Sequence, residues 1–234
     1  MMRVGLTGGL ASGKSTVAAE LRALGADLVE ADELGRALME PGQSVFSSIV
    51  EHFGPGVVAA NGHLDRARLA HLAFADGRLQ ELNTIIHPAV LVEQQRWMDA
   101  VFAKNPRAVA VVESALIFEV MRDAKLRGES SGPLADWRNR LDRVILVTAP
   151  VALRVARYAG RVCPPDASAE QRSAAEAEAR RRIACQIPDA EKAAEADFVL
   201  ENTGDPQTLR DQVVALWSKL QQDSNSFQSK ASLQ

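Results

Sequence analysis

A glycine-rich loop followed by a lysine and a hydroxyl residue lies close to the start of the chain, in "GLTGGLASGKSTVAAEL". Gly8 and Gly13 bracket four residues, and Lys14 and Ser15 follow directly, which matches the pattern G-x-x-x-x-G-K-[ST]. Such glycines let successive backbone N–H groups converge on phosphate oxygens. The lysine supplies positive charge for the β- and γ-phosphates, and the serine hydroxyl can ligate Mg²⁺. The pattern predicts a nucleoside-triphosphate site.

The sequence around the loop supports this interpretation. The apolar run "RVGLT" predicts a buried strand before the loop, and "KSTVAAELRAL" predicts a helix after it, whose N-terminal dipole would favour an anion. A glycine turn without a ligand is the alternative, and this context disfavours it. We expect a nucleoside triphosphate with Mg²⁺, the metal being held by Ser15. The predicted nucleotide-binding residues are Gly9, Leu10, Ala11, Ser12, Gly13, Lys14, Ser15 and Thr16.

Two carboxylates follow predicted strands and could join the loop. Asp32 ends the second predicted strand, "ADLVEAD", and Glu113 closes the third, "RAVAVVES". In a parallel sheet the carboxyl ends of the strands share one rim with the phosphate loop. Asp32 could there accept a hydroxyl proton, orient the hydroxyl toward the γ-phosphate or reach the metal through water. It could also cap the helix that starts at "ELGRALM", and the two roles are compatible.

The residues after the third strand distinguish among classes of phosphate-loop protein. A motor ATPase would end this strand with an Asp-Glu pair, whereas "AVAVVES" ends with Glu113 and Ser114. A GTPase would need Asp-x-x-Gly after the strand and Asn-Lys-x-Asp for guanine, and neither stands where expected. The residues favour a small-molecule kinase in which Asp32 acts on a bound alcohol.

Short apolar runs alternate with helical segments along the chain, which predicts an α/β fold. The strands are predicted at 3–7, 26–32, 107–114, 142–150 and 196–204. Apolar residues at three- and four-residue spacing predict helices over 66–75, 79–86, 89–103 and 209–220. The alternation predicts a P-loop three-layer α/β/α fold with a five-stranded parallel sheet.

Two regions interrupt this alternation. Residues 33–106 are too many for one crossover and are predicted to form an inserted helical substrate-binding subdomain. Residues 161–187, rich in Ala, Glu and Arg, are predicted to form a mobile lid. The single kinase domain would span 1–222, with its core at 1–32, 107–160 and 188–222. The polar tail 223–234 is predicted to be disordered.

The composition restricts the classes of partner. The chain has 234 residues, 47% hydrophobic and 24% charged, with a formal net charge of −3, which argues against nucleic-acid binding through a broad basic surface. Cys163 and Cys185 lack the spacing of a zinc site or the density of a disulfide scaffold. No stretch approaches the ~20 apolar residues of a membrane span. The glycine loop follows "MMRVGL" without room for a signal peptide. A cytoplasmic monomer or weak homo-oligomer is expected.

Five stretches in order resemble the dephospho-coenzyme A kinase family: "LTGGLASGKSTVA", "EADELGRALMEPG", "IIHP", "ESALIFE" and "RRIACQIPDAEKAAEADFVLENTG". The resemblance covers residues 3–216. Many kinases share the phosphate loop, whereas Asp32, Arg36, Pro41 and Gly42 together with His87 are more specific to this family. The resemblance implies transfer of the ATP γ-phosphate to the ribose 3′-hydroxyl of dephospho-coenzyme A, the last step of coenzyme A synthesis.

The resemblance also implies roles for individual residues. Asp32 would engage the 3′-hydroxyl, and Arg36, one helical turn further, would face the substrate unless it is a solvated helix arginine. His87, before a proline at the start of a helix, would contact the substrate or cap that helix. Asn202 and Gly204 match a segment beside the adenine of ATP, or they are plain turn residues.

Arg157 and Arg161 complete the predicted catalytic set with Asp32 and Lys14. Their i, i+4 spacing after the fourth strand puts both on one helix face. They resemble the lid arginines of the family, which would stabilise charge on the transferring phosphoryl group. An ordinary charged surface is the alternative interpretation.

Two departures from the family pattern leave some roles open. Glu113 and Ala115 stand where the family usually has Asp and Pro, so a metal-linked role for Glu113 is unsettled. Val162 stands where an acidic residue is usual, and the following "VCPPDASAEQRSAA" is longer than usual. Another small-molecule kinase and a non-catalytic nucleotide-dependent switch remain as alternatives, although "ESALIFE" lacks the Asp-Gly-Phe-Pro-Arg-like stretch of nucleoside-monophosphate kinases.

Overall fold

A five-stranded sheet organises the fold. The computed structural model describes the backbone of residues 1–231 and the side chains of residues 1–224. The strands are β1 (Met2–Gly8), β2 (Asp27–Glu30), β3 (Val109–Glu113), β4 (Arg143–Thr148) and β5 (Phe198–Glu201), in the order β2-β3-β1-β4-β5. β1 pairs in parallel with β3 and β4, and β4 with β5. The predicted five-stranded parallel sheet is confirmed.

Helices cover both faces of this sheet. Within residues 1–231 they are α1 (Lys14–Ala23), α2 (Ala31–Leu38), α3 (Ser44–Phe53), α4 (Arg66–Ala70), α5 (Leu79–Lys104), α6 (Ile117–Leu126), α7 (Val151–Val162), α8 (Ala169–Ala184), α9 (Asp189–Glu195) and α10 (Pro206–Ala231). Neighbouring strand residues point to opposite faces. Ile145 of β4 accordingly packs with α1 and α10, whereas Val144 packs with α6. Within these residues, no helix has the length and apolar character needed to span a membrane.

The chain divides into two compact units. The core unit comprises Met1–Leu28 and the chain from Ala100 onward, and the inserted unit comprises Val29–Asp99. The sequence predicts the insertion at 33–106, and the observed unit begins and ends earlier because β2 and α5 each contribute residues to both units. The buried apolar core of the inserted unit consists of Val45, Ile49, Val57, Leu69 and Leu72.

Helix α5 is continuous where two helices are predicted. Pro88 lies inside it, and so does His87, which means that His87 does not start or cap a helix. The sequence prediction was wrong because a proline usually ends a helix. Here the apolar stripe of Leu82, Ile85, Ile86 and Ala89 packs on the core of the inserted unit from both sides of the proline. Packing of this stripe outweighs the missing backbone hydrogen bond.

Two further predictions of secondary structure were wrong, one for residues 66–75 and one for the tail. The predicted helix 66–75 is α4 followed by a π-helical turn, His71–Ala75. The predicted disordered tail from residue 223 is helical through Ala231, and residues 232–234 lie outside the described residues. No proline or glycine interrupts this stretch. Asp223 also pairs with Arg143 of β4 at 2.9 Å, and Ser224 is buried, so tertiary contacts hold the helix beyond its apolar part.

A charged cluster ties α5 to α3 in the inserted unit. Arg78 donates from Nε and Nη2 to the two carboxylate oxygens of Glu81, at 2.9 and 2.7 Å, and stacks over the ring of Phe53. Nε2 of His52 lies 2.7 Å from the same carboxylate. Hydrogen bonds from Arg78 and then His52 lower the pKa of Glu81 from 4.5 to about 2.

We expect a Glu81→Gln variant to unfold more easily than the wild type at neutral pH, with the difference shrinking on acidification. The folded-state pKa of Glu81 lies below its unfolded value, so the carboxylate stabilises the fold fully above pH 4.5 and loses this effect as the pH falls toward 2. Urea unfolding of both proteins across this range measures the difference. Glu51→Gln, at an exposed position on α3, is the control, and a pH-independent difference for Glu81→Gln would contradict the assignment.

Candidate functional site

The phosphate loop leaves the end of β1 and enters α1. A Cβ at Gly8 would lie 2.6 Å from Ser12 Oγ and closer still to the carbonyl oxygen of Val147. Gly13 has φ 102°, in the left-handed region. Glycine is therefore required by space at one motif position and by backbone conformation at the other. Lys14 Nζ donates to the carbonyl of Gly8 at 2.9 Å, which draws the lysine across the loop.

The start of α1 presents backbone donors beside this lysine. The N–H of Thr16 donates to the carbonyl of Gly13 at 3.1 Å, and the N–H groups of Lys14 and Ser15 precede it in the first turn of the helix. The side chains of Ser15 and Thr16 are exposed. In the described part of the chain, Ser12 Oγ is buried and has no hydrogen-bond partner. Backbone N–H groups at the positive end of a helix fit a phosphate group.

Ala11 adopts a strained conformation within the loop. Its φ is 55°, in the left-handed region that costs a residue with a Cβ about 1–2 kcal/mol. We expect Ala11→Gly to raise the free energy of unfolding by roughly 0.5–1 kcal/mol, since part of the relieved strain is offset by the greater entropy of glycine in the unfolded chain.

Urea unfolding measures this effect. Ala19→Gly, at an exposed position inside α1, is the control, and it should lower the free energy of unfolding by about 0.5–1 kcal/mol because no positive φ is relieved there. Equal destabilisation by both variants would contradict the strain at Ala11.

Leu10 is held by two side chains that the sequence analysis missed. Arg154 Nε donates to the carbonyl of Leu10 at 2.8 Å, and Gln186 Oε1 accepts the N–H of Leu10 at 2.9 Å. The same oxygen accepts Arg154 Nη2 at 3.1 Å, and Arg154 Nη1 donates to Asp189 at 3.1 Å. The N–H of Leu10 is thus engaged within the protein. The sequence holds one signal for Arg154, which is its position three residues before Arg157 on the same helix. It holds none for Gln186.

Arg157 and Asn202 contact the phosphate loop at Ser12, two residues after Leu10. Asn202 Nδ2 donates to the carbonyl of Ser12 at 3.0 Å, and Asn202 Oδ1 accepts Arg157 Nη2 at 2.8 Å. Asn202 is 4% exposed, and a Cβ at Gly13 would collide with its amide nitrogen. Asn202 is therefore a buried support of the phosphate loop rather than a plain turn residue. Gly204 is exposed and has φ 111°, and a place for it beside the adenine of ATP stays a prediction.

Arg161 differs from Arg157 although both lie on α7. Its guanidinium lies 5.9 Å from the ring centroid of Tyr158, and within the described residues it makes no hydrogen bond or ion pair. Arg182 approaches the same ring at 5.5 Å. The predicted lid, 161–187, comprises the end of α7, a loop, α8 and the three residues after it, and α8 packs through Ala179 against Tyr158. The structure brings Arg157 to the loop, and a lid role for Arg161 stays a prediction.

Asp32 and Arg36 lie in the inserted unit. β2 ends at Glu30, which occupies the N-cap position of α2 without a side-chain cap, and Asp32 lies in the first turn of that helix. The prediction that Asp32 ends the strand or caps the helix was therefore wrong, because the helix begins earlier than its polar residues suggest. Asp32 and Arg36 are both exposed, and their i, i+4 spacing places them on one side of α2.

Glu113 is the last residue of β3, next to β1 at the edge of the sheet from which the phosphate loop emerges. It is paired in register with Leu6, and the N–H of Ser114 donates to the carbonyl of Leu6 at 2.9 Å. The side chain of Glu113 is partly buried. The described residues contain no group of three His, Cys, Asp or Glu side chains able to hold a metal ion. A metal there would depend on Ser15 and on phosphate oxygens.

Comparison with known proteins identifies the family. A family model described as dephospho-CoA kinase matches residues 2–130. The dephospho-CoA kinase of Geobacillus kaustophilus is 35% identical over 224 residues, covering 94% of this chain and 98% of that protein. The Anaeromyxobacter dehalogenans enzyme is 40% identical over 210 residues, covering 89% and 87%. The chain belongs to the dephospho-CoA kinase family.

Solved structures agree with this membership. TT1252 from Thermus thermophilus has a TM-score of 0.66 at 30% identity, covering 93% of this chain and 96% of that one. The dephospho-CoA kinase from Campylobacter jejuni has a TM-score of 0.62 at 21% identity, with 94% and 97% coverage, which shows a common fold. Membership of this family confirms the resemblance that the sequence motifs indicate. The loop geometry of this chain fits the ATP that membership implies.

Proposed function

We propose that this protein transfers the γ-phosphate of ATP to the 3′-hydroxyl of the ribose of dephospho-coenzyme A, which yields coenzyme A and ADP. A bond forms between the 3′-oxygen and the γ-phosphorus, and the bond from that phosphorus to the β–γ bridging oxygen breaks. One observation carries the proposal. The chain aligns over 94% of its length with the dephospho-CoA kinase of Geobacillus kaustophilus and retains a phosphate loop in which Lys14 Nζ lies across the loop against the carbonyl of Gly8.

The core unit supplies the nucleotide half of the reaction. Backbone N–H groups at the start of α1 and the Lys14 ammonium would bind the β- and γ-phosphates, while Arg154 and Arg157 keep the loop backbone in place. Ser15 would hold Mg²⁺, which when bound would supply positive charge against the charge that builds up on the leaving group. Asn202 and Gly204 belong to the same half, beside the nucleotide.

The inserted unit supplies the acceptor half. Asp32 would accept the proton of the 3′-hydroxyl or orient its lone pair toward the phosphorus, and Arg36 and His87 would contact the substrate. Exposure of Asp32 and Arg36 on one side of α2 supports a role in binding a ligand from solution. Arg161 would join Arg157 in stabilising the transferring phosphoryl group when the lid segment 161–187 closes and excludes water.

The class of substrate, the oligomeric state and the location of the protein belong to the same proposal. A net charge of −3 supports a small-molecule substrate rather than nucleic acid. We infer a cytoplasmic enzyme that works as a monomer or weak homo-oligomer.

Mass spectrometry of a reaction with MgATP and dephospho-coenzyme A tests the function directly. The expected product carries one additional phosphate at the 3′ position, and Lys14→Met, which removes the charge at the phosphates, should abolish it. AMP, CMP and shikimate are offered in parallel. Phosphorylation of one of these instead would indicate another small-molecule kinase, and nucleotide binding with only slow hydrolysis would indicate a switch.

A further inference from the structure

Two arginines of α7 hold the phosphate loop in the same way. Arg154 and Arg157 are three residues apart and so lie on one helix face. Each is hydrogen bonded to a side-chain amide, Gln186 or Asn202, and each arginine–amide pair contacts a backbone group of the loop. Arg157 and Asn202 already belong to the predicted site. The pair Arg154 and Gln186, which we call the Leu10 clasp, does not.

The Leu10 clasp engages both polar groups of one residue. Arg154 Nε binds the carbonyl of Leu10 at 2.8 Å, and Gln186 Oε1 binds its N–H at 2.9 Å. Arg154 is 3% exposed, and Asp189 is the carboxylate partner of its guanidinium. Burial of a charge is costly unless it is paired and hydrogen bonded, and here the loop backbone completes the set of acceptors. The loop conformation is therefore part of what satisfies this arginine.

Gly9 shows how closely the clasp lies against the loop. A Cβ at this position would collide with Arg154 Nη2 and would lie 2.8 Å from Arg154 Cζ and 2.9 Å from Gln186 Oε1. A glycine here is explained by the guanidinium and amide, since the loop backbone passes directly over them. The contact is thus specific to this segment of the loop.

The clasp also joins distant parts of the chain. Arg154 precedes the predicted lid segment 161–187, and Gln186 lies at the end of that segment, just before α9 begins at Asp189. A residue on α7 before the segment and a residue at the end of the segment thus contact the loop at the same position, Leu10. A displacement of Gln186 would release the N–H of Leu10 and one donor of Arg154 together.

We propose that Arg154 and Gln186 are positioning residues that hold the phosphate loop in its nucleotide-binding conformation. They act through Leu10 and do not touch the phosphates. The inference rests on the proposed function in one respect, which is that ATP is the nucleotide bound by the loop. It predicts that the clasp contributes to the affinity for ATP and leaves the affinity for the acceptor unchanged.

Binding and steady-state kinetics of clasp variants test this inference. Arg154→Met and Gln186→Met should each raise the Kd and KM for ATP about tenfold, the effect of losing one or two charge-assisted hydrogen bonds. The KM for dephospho-coenzyme A should stay at the wild-type value. The double variant should be little worse than either single variant, because both side chains act on Leu10. Arg154→Lys should recover part of the loss, since it keeps the charge beside Asp189.

Arg3→Met is the matched control. Arg3, at the opposite end of β1, also makes two side-chain hydrogen bonds to a carboxylate, that of Asp142, at 2.8 and 3.3 Å. Its loss should lower the Tm without changing the Kd for ATP. Calorimetry with ATP is done below the Tm of each variant. If Arg154→Met does not fold, Gln186→Met provides the test, because it removes no buried charge.

The outcomes separate the two claims. Clasp variants that lose thermal stability but bind ATP like the wild type would overturn the inference and leave a purely structural contact. A rise in the KM for both substrates would overturn it as well. A wild-type protein that fails to bind ATP would instead refute the proposed function.

Discussion

Asp32→Asn is expected to lower kcat by at least about 100-fold while leaving the Kd for ATP unchanged, because a general base typically contributes 10²–10⁴-fold. Asparagine keeps the size of the side chain and an oxygen, but it cannot accept the proton that the acceptor hydroxyl loses. By the proposed function, the nucleotide would be bound by groups of the core unit, Lys14 and the start of α1, which the substitution does not alter. Coupled kinetics and calorimetry with ATP measure the two quantities separately.

Glu33→Gln provides a closely matched control for this experiment. Asp32 and Glu33 are adjacent acidic residues in the first turn of α2, and both are exposed. Each substitution removes one negative charge from the same helix N-terminus, so the effect on the helix dipole is shared. Only Asp32→Asn should affect turnover. Wild-type kcat in Asp32→Asn, or equal losses in both variants, would remove Asp32 from the chemistry.

Lys192→Met is expected to lower the free energy of unfolding by about 3–5 kcal/mol, the usual cost of leaving one charge of a buried pair without its partner. Lys192 of α9 has a fully buried side chain, and its Nζ lies 2.5 Å from Oε1 of Glu119 on α6. The Glu119 side chain is 10% exposed, so water cannot replace the lost ammonium. Urea unfolding measures the loss.

The double variant Lys192→Met with Glu119→Leu separates the pair from the packing around it. Removal of both charges leaves an apolar contact, so most of the stability lost in the single variant should return. Arg210→Met is the control, since it breaks an ion pair with Glu20 whose arginine is 58% exposed, and it should cost at most about 1 kcal/mol. A double variant as unstable as the single one would show that the packing of these two side chains, and not their ion pair, stabilises the contact between α6 and α9.

The features predicted well from the sequence are those that neighbouring residues specify. The phosphate-loop motif from Gly8 to Ser15 is contiguous in the chain, and unbroken apolar runs such as β3 are typical of strands covered on both faces. The features predicted wrongly are the residues at which helices begin and end. Pro88 does not end α5, and α2 begins before Asp32, because packing and chain context outweigh local helix signals at those points.

The sequence by itself thus determined the phosphate loop, the parallel α/β sheet and the kinase family, since each depends on residue types within one short stretch or on their order. Only the tertiary structure decided what supports the loop. Gln186 is 176 residues from Leu10, and Asn202 is 190 residues from Ser12, so no local pattern links them. Such contacts depend on β4, β5 and α7 being brought beside β1. The buried pair of Lys192 and Glu119 arose in the same way, since two ordinary charged residues became partners only when the sheet assembled.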